Sequence, residues 1–504
     1  MQKKNLYRLH RVLSTLIGIP VFLWAISGLM HPLMTSVRPA IYTQASPRFQ
    51  LPPAILQKAA PLKSVLQAAG ISQASQVHLI HMDTSWYYQV LTTPADIPRY
   101  FHLLSGHENR DADRQYAGEL ARHFLEGDSN VTTHTPVESI TRLTKFTRQY
   151  SYVNRFLPVY KVAFGRGDQI AIYVDTHNSR FAFALDHHRA VFNAFFGWFH
   201  TWSWMDSLPR LKAAIIALIL LLTLLTGSIG IYLAFTTKSG RHRTNPLVRA
   251  RRLHRITAIT GAFFLMAWAF SGTIHALQNA RPPFKIQSVS PAKISSADIA
   301  PCVPANAALL AEAQPLAGLN LFKLRGHLWI QAIPYNRQSG VKDLMKAQSV
   351  KDQPLLYYET ADSSLIAFNE KQTVAILAET ALKNRFHLKT APGSLQLQYL
   401  THFTESYNFS DKILPVWQVS YGQGINRTMF LDASTGEIVK KGDAYKQADA
   451  LIFAFFHKHE FMSWAGKSAK DMSTIIGILI LLSLLIVGYR LLYIRSGYRK
   501  KREK

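Results

Sequence analysis

Residues 8–31 read RLHRVLSTLIGIPVFLWAISGLMH, and residues 252–275 read RLHRITAITGAFFLMAWAFSGTIH. At an offset of 244, Arg8-Leu9-His10-Arg11 falls on Arg252-Leu253-His254-Arg255, and Trp24, Ala25, Ser27, Gly28 and His31 fall on Trp268, Ala269, Ser271, Gly272 and His275; nine of 24 positions agree. Each stretch opens on basic residues, then stays apolar for about the 20 residues a helix needs to cross roughly 30 Å of hydrocarbon. A fixed offset marks an internal repeat, and the rest of the chain extends it.

At an offset of 257, Phe146, Thr147, Tyr150, Leu157, Pro158, Val159, Val162, Gly165, Gly167 and Asp175 fall on Phe403, Thr404, Tyr407, Leu414, Pro415, Val416, Val419, Gly422, Gly424 and Asp432. Phe199-His200 falls on Phe456-His457, and Lys238-Ser239-Gly240 shares a pattern with Arg495-Ser496-Gly497. The change of offset, 257 − 244, places 13 extra residues in the middle of the second half.

Four segments lack Asp, Glu, Lys and Arg over a membrane-crossing length: Val12–Val37, Ala213–Thr237, Ile256–Ala280 and, shortest, Met472–Tyr489. The 504 residues carry a net charge of +27 with 48% apolar and only 17% charged residues, which excludes a disordered chain and a compact soluble enzyme. The positive excess lies beside the apolar runs, so it reads as membrane topology and not as a nucleic-acid surface. Lys3, Lys4, Arg8 and Arg11 precede the first span. Lys238, Arg241, Arg243, Arg249, Arg251, Arg252 and Arg255 join the second to the third, and Arg495, Arg499, Lys500, Lys501, Arg502 and Lys504 close the chain. The positive-inside rule puts these ends in the cytoplasm of a bacterial inner membrane and both long connections in the periplasm.

The expected division is a cytoplasmic start with the first span (1–37), a periplasmic domain (38–209), the second span (210–237), a basic cytoplasmic loop (238–255), the third span (256–280), a second periplasmic domain (281–469), the fourth span (470–494) and a basic tail (495–504). The first span ends in Met30-His31-Pro32 and not in a small-residue cleavage site, so it is expected to stay as a signal anchor. Both halves start inside, which implies a parallel duplication about a pseudo-twofold axis along the membrane normal. The single cysteine, Cys302, excludes an intramolecular disulfide, a zinc finger and a cysteine-ligated iron–sulfur cluster.

The periplasmic domains read as α+β. Residues 64–70 and 116–126 have helical spacing, whereas 76–92 and 157–174 alternate in places and are rich in β-branched and aromatic residues. Residues 430–437 form a strand running into an Asp/Gly turn; the matching Asp175-Thr176-His177-Asn178 keeps the Asp without the Gly. His78 and His81, an odd offset apart in a strand, are expected on opposite faces and so are poor partners for one metal.

An ionisable ring in or at the rim of a bilayer is costly, so repeated histidines there call for a function. His10 and His31 lie 21 residues apart, roughly 30 Å of helix and close to six turns, so both rings leave nearly the same face. His254 and His275 repeat this in the third span, and His200 and His457 precede the second and fourth spans. Any one of them alone reads as a snorkelling interfacial ring; recurring pairs at two membrane levels read as axial ligands of haem iron. At the cytoplasmic level the pair is His10 with His254. At the periplasmic level the expectation is His31 with His200 and His275 with His457, with His31–His275 open as another pairing. Gly28 and Gly272 are expected to clear a slot beside these rings, and Trp24 and Trp268 lie between the two levels. Zinc or copper on the same histidines is a further option.

The Leu-His-Arg span start, the Ser-Gly-x-x-His exit, the strand-Asp-turn late in each long connection and the Phe-His before the returning span together resemble the PepSY-associated transmembrane-helix family. The resemblance covers essentially the whole chain and includes iron-regulated inner-membrane proteins and a ferric-siderophore reductase. It implies two PepSY-like domains, b-type haems (two or more) on span histidines, and a ferric siderophore as substrate. The expected function is a haem-containing reductase that takes electrons from a cytoplasmic or quinol donor and reduces a periplasmic ferric chelate, with the bilayer and no nucleic acid as its setting. Iron leaves on reduction because hard siderophore oxygens favour Fe(III). The rival expectation is a non-redox membrane protein whose PepSY-like domains bind a peptide or protein. A parallel-repeat transporter is a third reading, opposed by the lack of acidic residues in the spans.

Overall fold

The structure, a computed structural model, describes residues 2–34, 37–93, 96–127, 135–237, 245–282, 284–289, 292–299, 303–336, 353–361, 364–388, 394–404 and 406–503; Cys302 and residues 238–244 of the basic loop lie outside these. The chain divides into two compact units. One comprises Met1–Arg38, His188–Pro283 and Ala444–Lys504, the other Pro39–His187 and Phe284–Asp443.

In the first unit, four helices among the described residues are long and apolar enough to cross a membrane: Lys3–Leu33, Pro209–Thr236, Pro246–Asn279 and Glu460–Gly497. Pro209 and Pro246 open their helices, where a fixed φ and a missing N–H are harmless, and the Asn245 side chain caps the latter by accepting from Leu247 and Val248 N–H. Contacts between spans are made over small residues: a Cβ at Gly227 would lie 2.6 Å from Met266 Sδ, and one at Gly477 would lie 2.6 Å from Phe264 Cδ1. Ile17, Val21 and Ala25 of the first span pack on Ile478, Leu481 and Leu484 of the fourth. The basic segments gather at one end: Lys3 Nζ donates to Thr236 O (3.2 Å), Arg255 donates to Thr237 O (2.6 Å), and Arg495 lies within electrostatic reach of Arg11 and Arg251.

The main sheets of the second unit are built from sixteen strands among the described residues, paired antiparallel. In the first half these are β1 Gln76–Met82, β2 Ser85–Leu91, β3 Arg99–His102, β4 Glu108–Asn109, β5 Val137–Leu143, β6 Val159–Phe164, β7 Ala171–Asp175 and β8 Arg180–Leu185. In the second half they are β9 Leu316–Leu324, β10 His327–Pro334, β11 Leu356–Ala361, β12 Ser364–Asn369, β13 Gln396–Leu400, β14 Val416–Ser420, β15 Thr428–Asp432 and β16 Glu437–Lys441. One eight-stranded sheet runs β12-β11-β10-β9-β1-β2-β3-β4, joined at its middle where Asn320 pairs with His78. β5–β8 form a second sheet; β13–β16, with Gln287–Ser288 at the edge, form a third. The β1–β2 and β6–β7 strands lie where the alternating sequence expected strands, and His78 and His81 do face apart. His78 meets Gln89 Oε1 (3.1 Å), while His81 stacks on Phe49 at 4.1 Å.

Each small sheet covers one amphipathic helix. Tyr116, Leu120 and Phe124 of helix Ala112–Glu126 pack with Val162, Ile172 and Val174, and Val374, Leu377 and Ala381 of helix Glu370–Arg385 pack with Val419, Met429 and Leu431. A buried acid opens each helix. Asp113 accepts from Tyr160 OH (2.7 Å), and Glu370 accepts from Trp417 Nε1 (2.7 Å). Gln89 Nε2 donates to Tyr100 OH and Thr176 O at 2.7 and 2.9 Å; Gln331 Nε2 donates to Tyr357 OH and Ala433 O at 3.1 and 3.0 Å. Tyr100 with Tyr357, Thr176 with Ala433, Asp113 with Glu370 and Tyr160 with Trp417 are all 257 apart.

The two small sheets exchange side chains across a polar seam. Arg155 donates to Asp411 Oδ1 (3.0 Å) and Val439 O (2.6 Å), while Lys412 donates to Asn154 Oδ1 (2.9 Å) and Ala182 O (3.2 Å). Burial, reinforced by neighbouring Arg155, pushes the Lys412 ammonium down to about 7. Burial raises the Glu437 carboxyl to about 7, against the pull of Arg180. The Asp turn forms in both halves: Asp175 accepts from His177 N–H (3.0 Å) and Asp432 from Ser434 N–H (2.9 Å). Gly436 holds the left-handed position at φ +66°, and Ser179 holds the matching one at φ +52°, where Tyr116 OH donates to its Oγ at 2.6 Å.

Candidate metal centre

At the basic end of the membrane unit, the rings of His10 and His254 face each other with centroids 6.5 Å apart and a 47° tilt. His10 Nδ1 donates to Thr226 O at 3.1 Å, since a carbonyl can only accept, so in the neutral ring Nε2 carries the lone pair. Glycines of the neighbouring spans flank the rings: a Cβ at Gly230 would lie 3.0 Å from His10 Cε1, and one at Gly488 would lie 3.4 Å from His254 Cε1. His254 Nδ1 is buried and has no hydrogen-bond partner among the described residues.

At the opposite end, ligand nitrogens of His31, His200 and His457 all lie within 4.8 Å of one another. His200 and His457 are delivered by matching devices. Helices His187–Phe196 and Ala444–Ile452 each run into a π turn, Gly197–Thr201 and Phe453–His457, that carries the ring. Phe196 stacks on His200 at 4.6 Å and Phe453 on His457 at 4.3 Å. Ser27 Oγ meets His200 Nδ1 at 3.1 Å, and Ser271 Oγ meets His457 Nδ1 at 3.3 Å. His31 Nε2 is buried without a hydrogen-bond partner among the described residues.

His275 is held differently. Its Nδ1 meets Asp449 Oδ2 at 3.0 Å, and its ring stacks on Phe453 at 4.3 Å, on which His457 also stacks. The structure thus brings His31 and His200 together with His457, and interposes Phe453 in the expected His275–His457 pair. A Cβ at Gly28 would lie 3.9 Å from His200 Cε1, so this glycine borders the cluster, whereas Gly272 sits against Leu220 Cδ1 (3.2 Å) in the contact with the second span. Trp24 stacks on Trp202 at 5.4 Å and Trp268 on His459 at 5.6 Å.

The family model of the PepSY-associated TM region matches residues 7–318, more than half of the chain. The chain belongs to the PepSY-associated TM family. With its four apolar helices, it is a multi-pass membrane protein that also carries α+β structure. No curated protein matches the chain.

The histidines of this PepSY-associated protein suit haem iron on three counts. Two imidazoles sharing a metal at roughly 2 Å per bond stand about 6 Å apart centre to centre, close to the His10–His254 spacing of 6.5 Å. Buried ring nitrogens of His31 and His254 have no hydrogen-bond partner among the described residues, as a ligand nitrogen has none before its metal arrives, although His81 and His459, outside the pairs, share this feature. The donors are all imidazole, and the hydrogen bond on His10 Nδ1 is the kind that fixes a ligand's tautomer. Sequence reasoning missed Gly230, Gly488 and Asp449. It also missed Phe196 and Phe453, which the 257 offset relates directly. Asp449 falls on Phe192 at that offset, so no repeat signal marks it.

Proposed function

We propose that this PepSY-associated protein is a haem b-containing reductase of the bacterial inner membrane that passes electrons to a periplasmic ferric chelate, a ferric siderophore, in iron acquisition. The observation that carries the reading is the placement of facing histidines at both ends of one four-helix unit: His10 with His254, and His31 with His200 and His457. When bound, haem supplies one-electron redox chemistry at its iron. His10 and His254 would hold one group, with Thr226 O setting the His10 tautomer; two rings of the His31, His200 and His457 cluster would hold another, because a porphyrin leaves its iron room for two imidazoles. Gly230 and Gly488 keep side-chain bulk away from the first pair, and Phe196 and Phe453 hold the rings of the second cluster.

The proposal includes a tandem duplication. Matched hydrogen bonds at the 257 offset and the reciprocal Arg155 and Lys412 arms support it. It also places the basic end in the cytoplasm and the sheet domains in the periplasm, supported by the gathering of Lys3, Arg11, Arg251, Arg255 and Arg495 at one end. A pyridine haemochrome assay on purified protein and a dithionite-reduced-minus-oxidised spectrum of membranes test the reading. Two haems per chain are expected, and colourless protein after haem-supplemented expression would leave the non-redox, peptide-binding alternative.

A further inference from the structure

The helices His187–Phe196 and Ala444–Ile452, with the π turns that follow them, have two differently occupied faces. One face is covered: Phe192 and Asp449 are buried, and Phe196 and Phe453 lie against the histidines. The other face is open and apolar, with Val191, Ala194 and Trp198 on the first and Ala448, Leu451 and Phe455 on the second. These triplets have identical spacing and stand 257 apart, position for position. Val191 and Trp198 are 56% and 54% exposed, Leu451 and Phe455 44% and 49%. One such patch would be ordinary; two at matching positions mark a surface that something apolar covers.

We propose that both helices lie in the headgroup–acyl boundary of the bilayer crossed by the four spans, with these open faces in lipid. At ten and nine residues they are too short to cross, and they cluster in the same compact unit as the spans. The first open face is followed by Leu208 and Leu211, 55% and 50% exposed, which lead into the outward surface of the second span. Trp and Phe outside, with a polar ring carried on the covered side, is the composition of an interfacial helix. The arrangement sets the depth of His200 and His457, which these segments carry at their ends. It depends on the spans crossing a membrane and not on haem.

Because Cys302 is the single cysteine, a Cys302→Ser background permits single-site labelling of the full chain. Trp198→Cys and Phe455→Cys are labelled with a nitrobenzoxadiazole dye in phosphatidylcholine/phosphatidylglycerol vesicles, with Leu218→Cys as lipid reference and Lys58→Cys as water reference. Quenching by a shallow doxyl phospholipid should exceed that at Lys58→Cys by about twofold or more, with iodide quenching reduced in step. Ala194→Cys, which only adds a thiol to a methyl group, should agree even if the aromatic replacements disturb folding. Labels that iodide reaches as readily as at Lys58→Cys would overturn the proposal. So would labels shielded from both quenchers, because a protein surface or a second copy would then cover the face.

Discussion

The imidazoles of His10 and His254 face each other at 6.5 Å, each with a glycine of a neighbouring span beside its Cε1. A shared group on these rings depends on both. His10→Ala and His254→Ala are each expected to abolish the same component of the reduced-minus-oxidised spectrum, and His200→Ala to leave it intact. Loss of different components in the two variants would show that the rings do not act as a pair.

Gly230 offers a second handle on the same pair, since a Cβ there would sit 3.0 Å from His10 Cε1. Gly230→Val should lower occupancy at this level by about tenfold, the scale of disturbing a ligand's support. Gly167→Ala, where a Cβ meets nothing within 4 Å, should have no effect. Titration of purified apoprotein with haem, followed by absorbance, measures both.

At the other end, His31→Ala and His457→Ala should remove one common spectral component, distinct from that of His10, because their nitrogens converge with that of His200. Asp449→Asn should spare it: Asp449 holds His275, and Phe453 lies against both His275 and His457. Equal loss in Asp449→Asn would make His275 part of the cluster.

Arg155 and Asp411 form an ion pair at 3.0 Å with side chains 12% and 5% exposed. Breaking a buried pair costs about 3–5 kcal/mol. Lys440 still reaches Asp411 at 2.8 Å, so Arg155→Ala should fall at the lower end, about 3 kcal/mol. Chemical denaturation of the detergent-solubilised chain gives the value, and a loss under 1 kcal/mol would show the seam to be loosely held.

Glu437 and Lys412 give the seam a pH dependence of two signs. Glu437 rises from 4.5 to about 7 in the fold, so between these values only the folded state keeps the proton, and stability declines as pH climbs through the interval. Lys412 drops from 10.5 to about 7, so between about 7 and 10.5 only the unfolded state keeps the proton, and stability declines as pH falls through that interval. Relative to the parent, the melting temperature of Glu437→Gln should lose a downward contribution as pH rises from 4.5 to about 7, and that of Lys412→Met should lose an upward contribution as pH rises from about 7 to 10.5. Unchanged profiles would mean that neither group titrates in the seam.

Local regularities of the sequence specify much of this protein. Apolar length marked the spans, basic residues marked the end at which they gather, and a rise fixed per residue put His10 and His31 a membrane apart. The Asp turns were equally legible, although Ser179 keeps a left-handed position where Gly436 would be the easy choice. Partnership across the fold was another matter. That His457 joins His31 and His200, that His275 turns to Asp449, and that Gly230 and Gly488 stand beside His10 and His254 depend on which helices pack together and in what rotation. Periodicity constrains the face of one helix at a time, whereas these contacts join residues more than 150 positions apart. Only the packing of spans over small residues, and the exchange of Arg155 and Lys412 between the two sheets, decides them.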